Sequence, residues 1–155
     1  MTQLTDDDLM RYSRQLLMPG FDVAGQQALG SSRVLVVGAG GLGCPVVLYL
    51  AAAGVGSIHV VDDDRVELAN LQRQIAFSMA DVGAPKAEAL AERARAINPH
   101  ITVTWEALRL TPENLAEHMV HVDLVLDATD NFDIRFALNE ACIAARVPLV
   151  SGAAI

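Results

Sequence analysis

Arg33-Val-Leu-Val-Val-Gly-Ala-Gly-Gly-Leu-Gly43 is a short apolar run that breaks directly into G-x-G-x-x-G, with glycines at positions 38, 40 and 43. The spacing predicts a strand, a tight turn and the start of a helix. In such a turn the backbone of Gly38, Gly40, Gly41 and Gly43 can close on a phosphate, with the positive end of the following helix behind it. By itself the turn says only that a nucleotide or dinucleotide can sit there. The residues around it have to decide which.

Outward from the turn the chain alternates. A helix is expected over 43–53, with Pro45 in its first turn, where the missing N–H costs nothing, and Gly54 just past its end. Strand 57–62 follows, then a long polar connection over 63–83. A helix at about 85–97 puts Ala87, Leu90, Ala94 and Ile97 on one face and stops at Asn98-Pro99. Further strands are expected at 101–106, 122–127 and 147–151. Thr111-Pro112-Glu113 opens a helix to about 119, and another runs over 132–146. Upstream, 6–18 reads as one helix capped by Thr5 and ended by Pro19-Gly20, with a short helical turn from Gln26 to Gly30.

This alternation predicts an α/β fold: a doubly wound, mostly parallel, Rossmann-like sheet with helices on both faces, preceded by an N-terminal helical segment. The expected organisation is a helical arm over 1–30 and a nucleotide-binding domain over 31–155. Ligands in such folds bind beyond the carboxyl ends of the strands. Three loops should therefore converge: Gly38–Gly43, Asp62–Gln74 and Ala128–Phe132.

Composition narrows the partners. A formal net charge of −8, from 11 Lys and Arg against 19 Asp and Glu, argues against nucleic acid. An acidic protein that binds a polyphosphate has to place its few cations locally. Cys44 and Cys142 form no C-x-x-C pair and read as buried, reduced thiols. Met1 is followed by acidic residues, unlike a signal peptide, and the most apolar run, Leu42–Val55, is too short for a membrane span. A cytoplasmic protein with no membrane partner is expected.

Asp62 ends the second strand, where a carboxylate can accept the hydroxyls of an adenosine ribose. NAD and ATP sites agree up to this point. They part at Asp64-Arg-Val-Glu-Leu-Ala-Asn70-Leu-Gln-Arg73-Gln74, because ordinary dinucleotide sites pass from the acid straight into the next helix. Asn70, Arg73 and Gln74 should emerge near the glycine turn. An isolated Arg73 would read as a solvated loop residue; within this constellation it reads as a phosphate ligand. Lys86 in the first turn of its helix opposes the helix dipole, which makes sense if both face an anion. Asp130, in Ala128-Thr-Asp-Asn131, is suited to hold Mg²⁺ against phosphate oxygens, with Asp127 as a competing ligand and Asn131 also readable as a helix cap. The four histidines (59, 100, 118 and 121) show no metal-ligand or triad spacing, and neither a G-x-S-x-G elbow nor a Walker A motif occurs.

Taken in order, these segments resemble the ubiquitin-activating superfamily, in particular its bacterial adenylyltransferases of molybdopterin synthase and of the thiamine sulfur carrier. The matching stretches are Arg11-Tyr-Ser-Arg14-Gln15, the glycine turn with Cys44, Asp62-Asp-Asp-Arg-Val66 and Asn70-Leu-Gln-Arg-Gln74. Val82-Gly-Ala-Pro-Lys86, Ile97-Asn-Pro99, Asp127-Ala-Thr-Asp-Asn131 and Val147-Pro-Leu-Val-Ser-Gly-Ala-Ala-Ile155 complete the set. The resemblance implies ATP- and Mg²⁺-dependent adenylation of the C-terminal carboxylate of a ubiquitin-like sulfur carrier ending in Gly-Gly. Molybdopterin biosynthesis is the nearer match and thiamine the next. It implies that Arg73 and Lys86 stabilise phosphates, Asp130 holds Mg²⁺, Asp62 fixes the ribose and Asn70 positions a phosphate or the attacking group. It further implies that Arg14 reaches the γ-phosphate across the interface of a homodimer.

The family continues beyond position 155, in many members with two C-x-x-C pairs that bind zinc. This chain has none of these, so it reads as the N-terminal adenylation half. Two rivals stay open. An NAD(P)-dependent oxidoreductase domain explains Gly38–Gly43 and Asp62 but leaves Arg73, Lys86 and Asp130 without roles. A non-catalytic fragment that binds a carrier or dimerises is the other.

Overall fold

The run Arg33–Val37 forms β1 at the centre of a five-stranded sheet in which every pairing is parallel. The computed structural model describes residues 4–153, so the Met1 start and the last two residues of the Ser151–Ile155 motif lie outside the described residues. Three helices precede β1: α1 (Asp6–Arg11), α2 (Ser13–Leu16) and α3 (Asp22–Ser31). After it come α4 (Gly43–Ala53), β2 (Ser57–Val61), α5 (Lys86–Ile97) and β3 (Thr102–Glu106). The chain ends with α6 (Leu115–His118), β4 (Leu124–Asp127), α7 (Phe132–Ala145) and β5 (Leu149–Ser151). The spatial order is β3-β2-β1-β4-β5. Strand order reverses between β1 and β4, which opens a crevice at their carboxyl ends.

The sheet is covered on both faces, and this is why β1 reads as continuously apolar rather than alternating. Val34 and Val36 pack with Val47, Ile58, Val60, Leu90 and Ala94 on the α4–α5 side. Leu35 and Val37 pack with Val61, Leu115, Val125 and Leu138 on the α6–α7 side. Among the described residues no helix is long and apolar enough to cross a membrane.

Three expected elements differ. The single helix over 6–18 is broken at Tyr12, whose backbone (φ −96°, ψ 12°) leaves the helical region. Its side chain is buried, and its hydroxyl accepts a hydrogen bond from Asn98 Nδ2 at 2.8 Å. Tertiary anchoring wins over helix continuity. The turn at 26–30 is part of the longer α3, because Gln26 is buried and bonds the Ala53 carbonyl at 3.0 Å, outweighing the low helix propensity of Gly25 and Gly30. The helix opened by Thr111-Pro112 begins only at Leu115. Asn114 accepts from the Thr111 amide at 2.8 Å and donates to the Arg109 carbonyl at 3.1 Å, which holds 109–114 as a loop.

Asn98 joins the arm to the core. Its side chain is fully buried, donating to Tyr12 Oη and to the Ala51 carbonyl, each at 2.8 Å, and accepting from the His100 amide at 3.1 Å. Asn98→Ala leaves those groups with lost partners. It is expected to cost about 1–3 kcal/mol and lower the melting temperature by roughly 2–12 °C, read by thermal denaturation.

Candidate functional site

Gly38, the first residue of the glycine turn, has φ +100°, and a Cβ there would lie 2.8 Å from the Ala128 carbonyl oxygen. A Cβ on Gly43 would collide with the Gly38 carbonyl. The turn is therefore drawn tight against the end of β4, with the amino end of α4 directly behind it. That is a shape into which only glycine fits and which exposes backbone amides to an anion. Asp62 braces it from β2, accepting from the Ala39 amide at 2.7 Å and the Asp64 amide at 2.8 Å. Burial raises the Asp62 pKa, against the lowering effect of those two amides.

The polar connection after β2 folds back onto the turn. Its neck is closed by Val66 N to Ala84 O (2.9 Å), Gly83 N to Val66 O (2.8 Å) and Lys86 N to Asp64 O (2.9 Å). Within it, short 3-10 turns form at Leu68–Asn70 and Met79–Asp81. Asn70 accepts from the Glu67 amide at 3.4 Å. This closure brings Arg73 over the glycines: a Cβ on Gly41 would lie 3.7 Å from Arg73 Cγ, and one on Gly40 would lie 3.8 Å from Gln74 Nε2. Gln74 is buried, and its Oε1 has no hydrogen-bond partner among the described residues.

Lys86 is buried too. Its Nζ sits 2.7 Å from Asp64 Oδ2, with the lysine side chain 8% exposed and that of Asp64 66% exposed. The anion it faces here is thus a carboxylate of its own chain, on the rim of the crevice. Asp130 is exposed and makes no hydrogen bond or ion pair among the described residues, whereas Asp127 is saturated. Asp127 accepts from Thr129 Oγ1 and Ser151 Oγ, each at 2.6 Å, and pairs with Arg135 Nε at 3.3 Å. Asn131 caps α7 through the Asp133 amide at 2.9 Å.

Gly38, Gly40, Gly41, Asp62, Asn70, Arg73, Lys86 and Asp130 border one crevice of about 920 Å³, in the range of small-molecule sites. The three expected loops converge there. A fourth, Leu108–Pro112 after β3, also lines it and brings Arg109, a cation that sequence reading passed over. Its place at the carboxyl end of a strand was the available signal. Arg135 was missed as well: it donates to the carbonyls of Thr129 and Gly152, each at 2.7 Å, and so holds the loop that carries Asp130. No sequence spacing announces that. Arg14 is not in the crevice of its own chain. Its neighbour Tyr12 packs at Gly54, past the far end of the 11-residue α4, about 16 Å from the glycine turn.

The two thiols are inert by environment. Cys44 and Cys142 are buried and free, and burial pushes the Cys44 thiol up to about 11. His59 and His118, which show no ligand spacing in the sequence, meet at Glu106, because parallel strands and α6 bring them together.

The crevice suits a nucleoside triphosphate. It offers a cradle that any side chain would fill, an orphaned buried amide oxygen at Gln74, and buried and exposed cations on one wall. Comparison with known proteins points the same way. The profile described as ThiF family matches residues 12–155. The chain is 52% identical over 155 residues to the molybdopterin-synthase adenylyltransferase of Escherichia coli (strain K12), covering 100% of this chain and 62% of that protein. It is 46% identical over 152 residues to the sulfur carrier protein ThiS adenylyltransferase of the same organism, covering 98% and 61%. Among solved structures, E. coli tRNA N6-threonylcarbamoyladenosine dehydratase, TcdA, in complex with ATP superposes with a TM-score of 0.91 at 34% identity, covering 97% of this chain and 61% of that one.

Proposed function

The chain belongs to the ThiF family, and from that membership we propose that it is the adenylation part of an enzyme that activates a ubiquitin-like sulfur carrier. The proposed reaction transfers AMP from ATP to the C-terminal glycine carboxylate of the carrier. A carboxylate oxygen forms a bond to the α-phosphorus, and the bond from that phosphorus to pyrophosphate breaks. Residues 31–155 would form the adenylation domain and 1–30 its arm. Molybdopterin synthesis is favoured over thiamine synthesis by 52% against 46% identity to the respective relatives.

The observation that carries this reading is the closed β2–α5 connection, which lays Arg73 against the glycine turn and buries the Lys86 ammonium in the same wall. A dinucleotide's pyrophosphate can rest on the glycine turn alone, whereas a triphosphate undergoing attack calls for the further cations that Arg73 and Lys86 provide. Attack of one anion on another needs alignment and charge neutralisation more than a strong base. Arg73 and Lys86 would supply the positive charge, Asp62 would meet the ribose, and the amides of Gly40 to Gly43 would hold phosphate oxygens, those of Gly38 and Ala39 being bonded to the Val61 carbonyl and to Asp62. Asn70 would orient a phosphate or the attacking group. Asp130 would hold a magnesium ion, which supplies charge neutralisation at the phosphates when bound. A tRNA substrate, as the name of TcdA states for that protein, fits less well with a net charge of −8.

The direct test is ATP–pyrophosphate exchange with candidate carriers ending in Gly-Gly. Exchange that requires a carrier, together with tighter binding of ATP–Mg²⁺ than of NADH, is expected. Preferential NADH binding would restore the oxidoreductase reading, and a flat exchange signal with an intact carrier would favour a non-catalytic binding fragment.

The position of Arg14 outside its own crevice supports a shared-site homodimer, in which it serves the partner's nucleotide. Mixing Arg14→Ala with Arg73→Ala protein should then restore part of the exchange that each lacks alone. No recovery in a demonstrated mixed dimer would argue against donation across subunits.

A further inference from the structure

On the α6 side of the sheet, away from the nucleotide crevice, His59 of β2, Glu106 at the end of β3 and His118 of α6 converge. One ligand-capable atom from each lies within 4.8 Å of the other two. The carboxylate stands between the rings: Glu106 Oε1 is 3.4 Å from His59 Nε2, and Oε2 is 3.3 Å from His118 Nε2. Beside the cluster lies a cavity of about 490 Å³, bordered by Arg33, Ser57 and His121.

The other nitrogen of each ring is already tied. His118 Nδ1 is 2.9 Å from the Asn114 carbonyl oxygen, which can only accept. Nδ1 therefore carries a proton, and Nε2 is the nitrogen that faces Glu106 and that the neutral ring can offer to an ion. His59 Nδ1 is 2.7 Å from Thr104 Oγ1, which can accept in the same sense. Outer partners of this kind fix tautomer and ring orientation in metal sites. The His–Glu separations of 3.3 and 3.4 Å exceed the roughly 2.7–2.9 Å of a charge-assisted hydrogen bond. With one donor atom of each residue within 4.8 Å of the other two, small side-chain rotations would bring the three to the roughly 3.3 Å edge of a tetrahedron whose metal–ligand bonds are about 2.0–2.1 Å.

We propose that His59, Glu106 and His118 form a binding site for a divalent transition-metal ion of the zinc class, held by two imidazole Nε2 atoms and one carboxylate. Imidazole donors select zinc, nickel or copper over magnesium or calcium. Three protein ligands leave a coordination position open to water from the cavity. No cysteine takes part. A bound ion ties α6 to β2 and β3, and so clamps the segment leading into α6, whose residues Leu108 to Pro112 border the nucleotide crevice.

The test uses the whole chain, stripped with EDTA and titrated with Zn²⁺ alone. Wild type is expected to bind one Zn²⁺ per chain in calorimetry and to melt at a higher temperature with Zn²⁺, an increase that EDTA reverses. Excess Mg²⁺ should not compete. His118→Ala and His59→Ala should each weaken Zn²⁺ binding at least tenfold, while His100→Gln, which lies outside the cluster, should bind as wild type does. Should the half-buried histidine variants fail to fold, Glu106→Gln, altering a more exposed side chain, should fold and lose the zinc-dependent rise in melting temperature. Zn²⁺ binding no tighter in wild type than in Glu106→Gln would overturn the proposal and leave the cluster as an ion pair.

Discussion

Lys86→Met is expected to weaken ATP–Mg²⁺ binding about 10- to 150-fold, the loss of a charged hydrogen bond worth roughly 1.5–3 kcal/mol. It should also reduce carrier-dependent pyrophosphate exchange about 10²- to 10³-fold if the ammonium stabilises charge that develops during transfer. The fold should survive. Methionine keeps the apolar stem in its buried channel, and the partner it deserts, Asp64, is 66% exposed and can turn to water. Melting within a few degrees of wild type would confirm this. A rival explanation is that Lys86 merely pins the neck of the β2–α5 connection. Asp64→Asn separates the two, since it breaks the same ion pair yet keeps the cation. Equal losses in both variants would assign Lys86 to the neck; a loss confined to Lys86→Met would assign it to the nucleotide.

How far this wall could be read beforehand depends on the range of the forces involved. The strands were legible to within two residues: central β1 is an apolar run buried along Val34–Val37, while β3, at the sheet edge, shows Val103 buried between exposed Thr102 and Thr104. The glycine turn was legible because its φ and its closeness to Ala128 admit no side chain at Gly38. The convergence of three loops followed from parallel topology alone. What stayed hidden was settled by single side chains acting across long stretches of sequence. Tyr12 breaks its helix to reach Asn98, 86 residues away. Arg135 holds the Asp130 loop through carbonyls at Thr129 and Gly152. His59 and Glu106 become neighbours only through the β2–β3 register, which pairs His59 with Thr104 and Val61 with Glu106. Local patterns carry no trace of such pairings.

The same contrast between local pattern and contact governs the two aspartates after β4. The crevice is lined by six carboxylates (Asp62, Asp63, Asp64, Glu67, Asp130 and Asp133) against three cations (Arg73, Lys86 and Arg109). A polyanion entering that field needs additional positive charge, so nucleotide affinity should depend steeply on Mg²⁺. Of the two candidate ligands, Asp127 has its oxygens committed to Thr129, Ser151 and Arg135, while Asp130 is exposed with no partner among the described residues. Asp130→Ala is therefore expected to reduce exchange by about 10²- to 10³-fold and to shift half-maximal activity to higher Mg²⁺, with the melting temperature unchanged. Asp127→Ala should behave in the opposite way. It removes the fully buried carboxylate that pairs with Arg135, leaving the guanidinium only the Thr129 and Gly152 carbonyls, and is expected to cost about 3–5 kcal/mol of stability. Its exchange defect should follow the loss of folded protein rather than the Mg²⁺ concentration. Wild-type Mg²⁺ dependence in Asp130→Ala protein would remove that residue from the metal site and return the role to another carboxylate on the rim.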